Sequence, residues 1–323
     1  MKRIIAALIV IVLVVAGWTG AWFWGAGQIT SYTKSLEAED GVTEPKVVCG
    51  GLSVGGFPLG YDLTCDNATI TSGDTVASIA GVKGSVDIYD PLHVLISAKS
   101  PATITDSFTG SSSQVDFASL EASGRLNGWR LARISLVLDK PVWNDVVIAD
   151  QPRLIAKADH AEAHLIDLPV KYDGSKHLQA LGQYAEVDNL NAPGFAINAG
   201  KTTLEGEVSD LPDDVRIYDA DSLKRWQQAG GQFTLVNFAG NDGDNHFTAT
   251  GNLNLDDQGR VGGQVKLNSK GVVERVGTAI PDQLRGVVVG AQAADGSYSQ
   301  TFNIAAGVVF AGLLPATVIP PVF

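Results

Sequence analysis

"CGGLSVGGFPLGYDLTC", Cys49 to Cys65, holds both cysteines of the chain and a G-x-S-x-G match at Gly51-Leu52-Ser53-Val54-Gly55. Two folds compete for it. In an α/β hydrolase this pattern is a nucleophile elbow, with Ser53 on a sharp strand-to-helix turn above a parallel sheet. In an all-β protein it is a stapled hairpin. The residues after Ser53 favour the hairpin: Val54-Gly55-Gly56-Phe57-Pro58 is turn material, and Tyr61-Asp62-Leu63-Thr64 reads as a returning strand. Partner numbers in an antiparallel hairpin sum to a constant, so Cys49 directly opposite Cys65 centres the turn on Phe57, within Gly55, Gly56, Phe57 and Pro58. The spacing predicts a Cys49–Cys65 disulfide, closing a loop that stabilises by about 3 kcal/mol. Ser53 then becomes an ordinary strand residue, with serine hydrolysis the minor alternative.

Upstream, Lys2 and Arg3 precede Ile4–Trp24, in which Thr19 is the only clearly polar side chain. That length crosses a hydrocarbon core of about 30 Å as a helix, and exceeds the roughly 7–15 apolar residues of a secretory signal. Gly25-Ala26-Gly27 is a poor cleavage site, so an uncleaved anchor over 1–27 is expected, with a cleaved signal as the alternative. Basic residues stay in the cytoplasm, and Trp18, Trp22 and Trp24 suit an interfacial belt at the far end. The expected location is a single pass through the inner (cytoplasmic) membrane by residues 4–24, with the main domain in the periplasm of a Gram-negative cell. Two paired cysteines suit that oxidising compartment.

The polar stretch 28–44 is expected as a linker helix, and 45–323 as a β-rich domain with a sub-boundary near 209–218. Strand-like runs follow one another at Lys46–Val54, Val76–Tyr89, Val94–Ala98, Arg130–Leu138, Val142–Ala149, Gln183–Leu190 and Phe195–Val208, punctuated by Gly, Asn, Asp and Pro. Phe247, Ala249, Gly251, Leu253 and Leu255 alternate with Thr and Asn, which is the period of a strand with one dry and one wet face. Asp256-Asp257-Gln258-Gly259 is the turn before Val261–Leu267 returns. Two helices are expected: one capped by Asp219 or Asp221 and stopped at Gly230, the other from Ser269 to about Ile280. The fold class is mainly β with a few helices: an N-terminal transmembrane helix and a curved antiparallel sheet, groove-like or sandwich.

Charged residues are 18 % of the chain and the formal net charge is −12, which argues against nucleic acid and makes any lipid contact apolar. His160, Glu162 and His164 share a face at strand spacing and could ligate Zn²⁺, although a wet strand face is the simpler account and no third distant ligand is evident. Asn241–Asn245 resembles a calcium loop only superficially, lacking the twelfth-position carboxylate and flanking helices. Ser31-Tyr32-Thr33-Lys34 matches S-x-x-K without K-T-G, and Asn67-Ala68-Thr69 is a glycosylation sequon by pattern only. No cofactor is expected.

Lys2-Arg3 with its span, Cys49…Gly56-Phe57-Pro58…Leu63-Thr64-Cys65, Tyr89-Asp90-Pro91-Leu92-His93 and Gly307-Val308-Val309-Phe310 together resemble the membrane-anchored envelope family known as domain of unknown function 2125. The resemblance covers nearly the whole chain and implies no catalytic residue. Gly251–Gly263 is similar to the recurring G-x-L-x-L-D-x-x-G-R hairpin of AsmA-like envelope proteins, which implies a concave apolar face holding lipid. The expected function is therefore non-enzymatic binding of a lipid or other apolar ligand in envelope maintenance. Phe247, Leu253, Leu255 and Val261 are candidate groove residues, with core packing as the competing role. The alternative is a scaffold that binds envelope proteins along a sheet edge.

Overall fold

The structure, a computed structural model, describes residues 2–148, 151–217, 221–272, 289–290 and 292–323. A single helix, α1 (Lys2–Glu37), runs unbroken through the apolar stretch and the polar residues after it. The expected anchor and linker are thus one element, and it stops at Glu37 rather than 44. The Asp40 carboxylate explains the stop: it accepts the N–H groups of Val42 and Thr43, each at 2.8 Å. Such a local turn competes with helix, and the same bonds pull the Asp40 pKa down to about 2.

The strands are β1 (Lys46–Gly55), β2 (Gly60–Ser72), β3 (Thr75–Asp87), β4 (Asp90–Asp106), β5 (Ser112–Asp116), β6 (Ser119–Asn127), β7 (Arg130–Asp139), β8 (Val142–Asp145) and β9 (Arg153–Lys157). They continue as β10 (His160–Asp167), β11 (Leu178–Ala192), β12 (Ile197–Pro212), β13 (Gln232–Asp242), β14 (Asn245–Leu255), β15 (Val261–Lys270), β16 (Tyr298–Ala305), β17 (Val308–Ala311) and β18 (Leu314–Val318). These eighteen strands belong to one antiparallel sheet. The chain divides into two compact units, Met1–Ala122 with Asn144–Arg153, and Ser123–Trp143 with Leu154–Phe323. The expected sub-boundary at 209–218 is instead the end of β12, where Pro212 still pairs with Leu178 of β11.

In the first unit, β1 to β4 form consecutive hairpins. The Cys49–Cys65 disulfide is present, with Cα atoms 5.3 Å apart. The predicted register is wrong, however: Cys49 lies opposite Ala68, and Cys65 opposite Leu52. The cause is a turn that lies further along the chain than expected, opened by Gly56 at φ +96 and closed by Gly60 N–H donating to the Gly56 carbonyl at 3.0 Å. Its centre falls between Pro58 and Leu59. Partner numbers sum to 117 on both sides of the cysteines, so the ladder itself does not slip; what brings the two cysteines onto one face is a lost beat in the in–out alternation. Gly50 and Gly51 are both exposed, as are Asp66 and Asn67, and Asn67 has φ +49. The irregularity continues into β3 and β4, where register shifts between Ile79 and Gly81 opposite Ser100-Pro101. Proline has no ladder donor. A crease thus crosses four strands, and the cysteines meet diagonally over it.

The outer part of α1 packs along this hairpin. Trp22 stacks on Tyr61 at 5.4 Å and meets Phe57 edge-on at 5.5 Å. Its indole N–H donates to the Gly60 carbonyl at 2.8 Å, and that of Trp18 to the Pro58 carbonyl at 3.0 Å. Gly25 is required here, because a Cβ would collide with the Tyr61 hydroxyl. Trp22 is therefore 5 % exposed, not a free interfacial tryptophan; Trp24, 70 % exposed, keeps that role open.

In the second unit, β7 pairs with β10, and β10 to β18 follow in order. Two 3-10 turns interrupt the connections between β10 and β12, so the chain direction changes without a long loop. Between β12 and β13 lies α2 (Ser222–Gln228), whose Trp226 is buried and donates its indole N–H to the Ser209 carbonyl at 2.7 Å. Asp221 occupies its N-cap position without a capping side-chain bond, and Gly230 at φ +83 follows its end. Asp219 lies outside the described residues. Ser269, expected as an N-cap, is in β15, paired with Phe247 and Tyr298; most of the helix expected after it falls outside the described residues.

Candidate functional site

The β13–β16 ladder carries aligned rows of residues on one face. Val208, Phe233, Leu253, Gly263 and Ile304 form one row, and Leu204, Phe238, Ala249 and Leu267 another. Phe247 lies in a third row, between Gly240 and Ser269, and Leu255 pairs with Val261 in a fourth. Register thus brings all four candidate residues, Phe247, Leu253, Leu255 and Val261, onto a single face. Each is half-buried. The opposite face of β14 is Thr248, Thr250, Asn252 and Asn254, all exposed.

Among the described residues, little covers this face. Among its larger apolar residues in the described part, Ile304 is buried, while Phe233, Leu235, Phe238, Phe247, Val265 and Phe302 keep more of their surface. A layer packed against another sheet or helix would bury such residues almost completely. At one end of the face is a cavity of about 210 Å³, lined by Phe195, Ile197, Thr202, His246, Phe247 and Val272. Gly240 makes its floor: a Cβ there would strike the Phe247 ring, so glycine lets that ring lie flat and meet Phe238 edge-on at 4.9 Å.

Sequence alternation found the β14 members of this face and missed those of β13. The reason is a bulge. Leu235 pairs with Gly251 and Phe238 with Ala249, so Val236 and Asn237 together stand where one residue would fit. Phe233 and Leu235 share a face with Phe238 and Gly240 only because the bulge shifts the phase. Phe195 ends a 3-10 turn and Ile197 opens β12, where the sequence showed a strand-like run from Phe195 but not the face it presents.

On the wet face, His160, Glu162 and His164 come together as predicted, but they form a chain of histidine–carboxylate contacts. His160 Nδ1 lies 2.9 Å from Asp139 Oδ1, and Glu162 Oε2 lies 3.6 Å from His160 Nε2 and 3.3 Å from His164 Nε2. His164 stacks on Tyr184 at 6.2 Å. The Tyr184 hydroxyl donates to Glu186 at 2.6 Å, and Lys201 Nζ lies 2.6 Å from Glu186 and 3.0 Å from Asp188. Lys201, then Tyr184, pull the Glu186 pKa down to about 2, and Glu186 pushes the Tyr184 phenol up to about 12. Among the described residues no group of three or more His, Cys, Asp and Glu is arranged to hold a metal ion. The carboxylates are committed to neighbouring histidines and lysine.

Asp139 also raises the His160 pKa above its ordinary value, with desolvation opposing and Glu162 assisting. Asp139→Asn should bring that pKa down toward about 6.5, read from the His160 ring protons by NMR; an unchanged titration would contradict the pairing. Because the folded value is raised, the pair's contribution to stability is full below about pH 6.5 and fades as pH rises through the folded pKa.

The remaining motifs resolve plainly. Ser53 is mid-strand in β1, exposed and paired with Thr64, with no helix following it. Asn241–Asn245 is a two-residue hairpin in which Asp242 pairs with Asn245 and Gly243 has φ +61. Ser31 and Lys34 lie on α1, and Asn67 sits in the crease.

The fold is that of a β-rich protein carrying one N-terminal helix long and apolar enough to cross a membrane. A family model described as "Uncharacterized protein conserved in bacteria (DUF2125)" matches residues 22–320, and the chain belongs to that family. Neither a curated protein nor a solved structure matches the chain. The wider AsmA-like likeness expected from the Gly251–Gly263 hairpin is not shown by these comparisons.

Proposed function

We propose that α1 anchors the chain in the cytoplasmic membrane with the sheet on the periplasmic side, and that the apolar face of β12–β16 binds an acyl chain or similar apolar ligand without catalysing a reaction. The observation that carries this is a sheet face rich in aromatic and aliphatic side chains that are only half-buried. Apolar surface left contiguous and only partly covered suits a ligand or partner, and a cavity opens on the same face at Phe247. The apolar helix and the disulfide support the location. The acidic net charge favours an apolar contact over attraction to anionic headgroups.

Native mass spectrometry of the full chain extracted from membranes tests this. The wild type should carry lipid-sized adducts, and Phe247→Asp, which sets a charge in the cavity wall, should lose most of them. A wild type free of adducts would overturn the proposal. A second use of the molecule, strand addition by an envelope protein, is favoured by β18, all five residues of which are exposed. Pro315 within it limits the donors it can offer.

A further inference from the structure

The length of α1 and the place where the sheet meets it are in conflict unless part of the sheet lies in the bilayer. This rests on the proposal above that α1 spans the membrane. Residues 4–24 make about 31 Å of helix at roughly 1.5 Å per residue, which matches a hydrocarbon core of about 30 Å. Yet Trp18 is already hydrogen-bonded to Pro58, and Trp22 to Gly60. Only residues 4–17, about 21 Å of helix, lie before the first contact with the sheet. Some 10 Å of the span therefore runs beside the β1–β2 turn.

That turn is built for lipid. Phe57 and Leu59 are 50 % and 58 % exposed, and beside them the β3–β4 turn presents Tyr89 at 75 %. The two turns are joined by Ile88 N–H donating to the Leu59 carbonyl at 2.9 Å. Backbone groups immersed in hydrocarbon must be satisfied internally. Here the carbonyls of Gly56, Pro58, Leu59 and Gly60 each accept a hydrogen bond, from Gly60, Trp18, Ile88 and Trp22 in that order, and Pro58 has no N–H to lose. The first ion pair above the turn, Asp62–Lys83 at 3.3 Å, stands three residues from Leu59, about 10 Å along a strand. That is the same depth as the overlap on α1. Asp87 and Asp90 flank Tyr89, and Asp90 faces His93 at 3.7 Å, which holds the second turn to the headgroup boundary.

We infer that the turns at 56–59 and 88–89 are immersed in the leaflet around the far end of α1 from Lys2. The sheet is then seated in the bilayer surface, with its crease and strands held at a fixed height, rather than tethered above it.

The test is spin-label depth measurement on the full chain in phosphatidylcholine liposomes with the native disulfide intact. Nitroxides go on Leu59→Cys, Tyr89→Cys, Leu13→Cys in α1, and Asp74→Cys at the opposite end of β2 and β3; all four positions are exposed. Position 59 should read as lipid-immersed though shallower than 13, and 89 shallower still at the headgroup boundary, both with a ratio of oxygen to nickel-chelate collisions clearly above that at 74. Positions 59 and 89 matching 74 while 13 reads as buried would overturn the inference and leave the anchor intact. An aqueous reading at 13 would overturn both.

Discussion

Gly251→Ala should lower the unfolding free energy of the second unit by about 3 kcal/mol, the upper end of what overpacking costs. A Cβ at Gly251 would collide with the Gln264 carbonyl oxygen and lie 2.9 Å from the Val265 Cα. Both are backbone atoms of β15, so no side chain can swing away to relieve the clash. The close approach follows from the β13 bulge beside it, which increases local twist and presses β14 onto β15. Gly124→Ala is the matched control. Nothing lies within 4 Å of a Cβ there, and alanine within a strand should gain roughly 0.5 kcal/mol over glycine. Chemical denaturation of the full chain in detergent reads both. A Gly251→Ala protein as stable as the wild type would mean that the strands are not in this register.

Replacing both cysteines by serine should cost about 3 kcal/mol in the first unit, from the entropy returned to a loop of sequence separation 16. For a unit of this size that is a fall in melting temperature of about 10 °C, and a reductant should reproduce it in the wild type. The effect should be confined to the first unit, since both cysteines lie in β1 and β2. A melting temperature unmoved by reduction would mean that the crease holds the hairpin without its staple.

These two sites also mark the limits of what the sequence discloses. The β14–β15 hairpin was legible because its dry and wet residues alternate strictly from Phe247 to Leu255, and a period of two admits one interpretation. The seven strand runs were legible for another reason, strand-like residues punctuated by Gly, Asn, Asp and Pro, although β8 stops at Asp145 and β12 starts at Ile197. Register across the first hairpin was not. Counting from Cys49 and Cys65 assumed that bonded cysteines stand directly opposite each other, while the lost beat at Gly50–Gly51 and at Asp66–Asn67 lets them meet diagonally across an otherwise regular register. Glycine and asparagine advertise such freedom without saying which of them uses it. The same blindness hid Phe238 behind a bulge. The tryptophans misled in a different way: their clustering near residue 20 announces a membrane interface, but only the fold reveals that two of them grip the first turn.

Ser53 and the His160–Glu162–His164 trio show how motif chemistry yields to context. Serine in the middle of an antiparallel strand has no elbow to activate it. The histidines are drawn into a chain of carboxylates that also fixes β7 and β10 together. What the molecule leaves open is the other face, where Phe233, Phe247 and Phe302 stand half-covered above their strands.

Photo-crosslinking in native membranes, with lipids carrying a diazirine near the end of the acyl chain, tests that face most directly. Peptide mapping should find adducts within 232–270, the β13–β15 segment, in addition to those on α1. Crosslinks confined to α1 and to the turns at 56–59 and 88–89 would show that lipid touches the protein only at the bilayer, and would contradict a ligand-binding sheet.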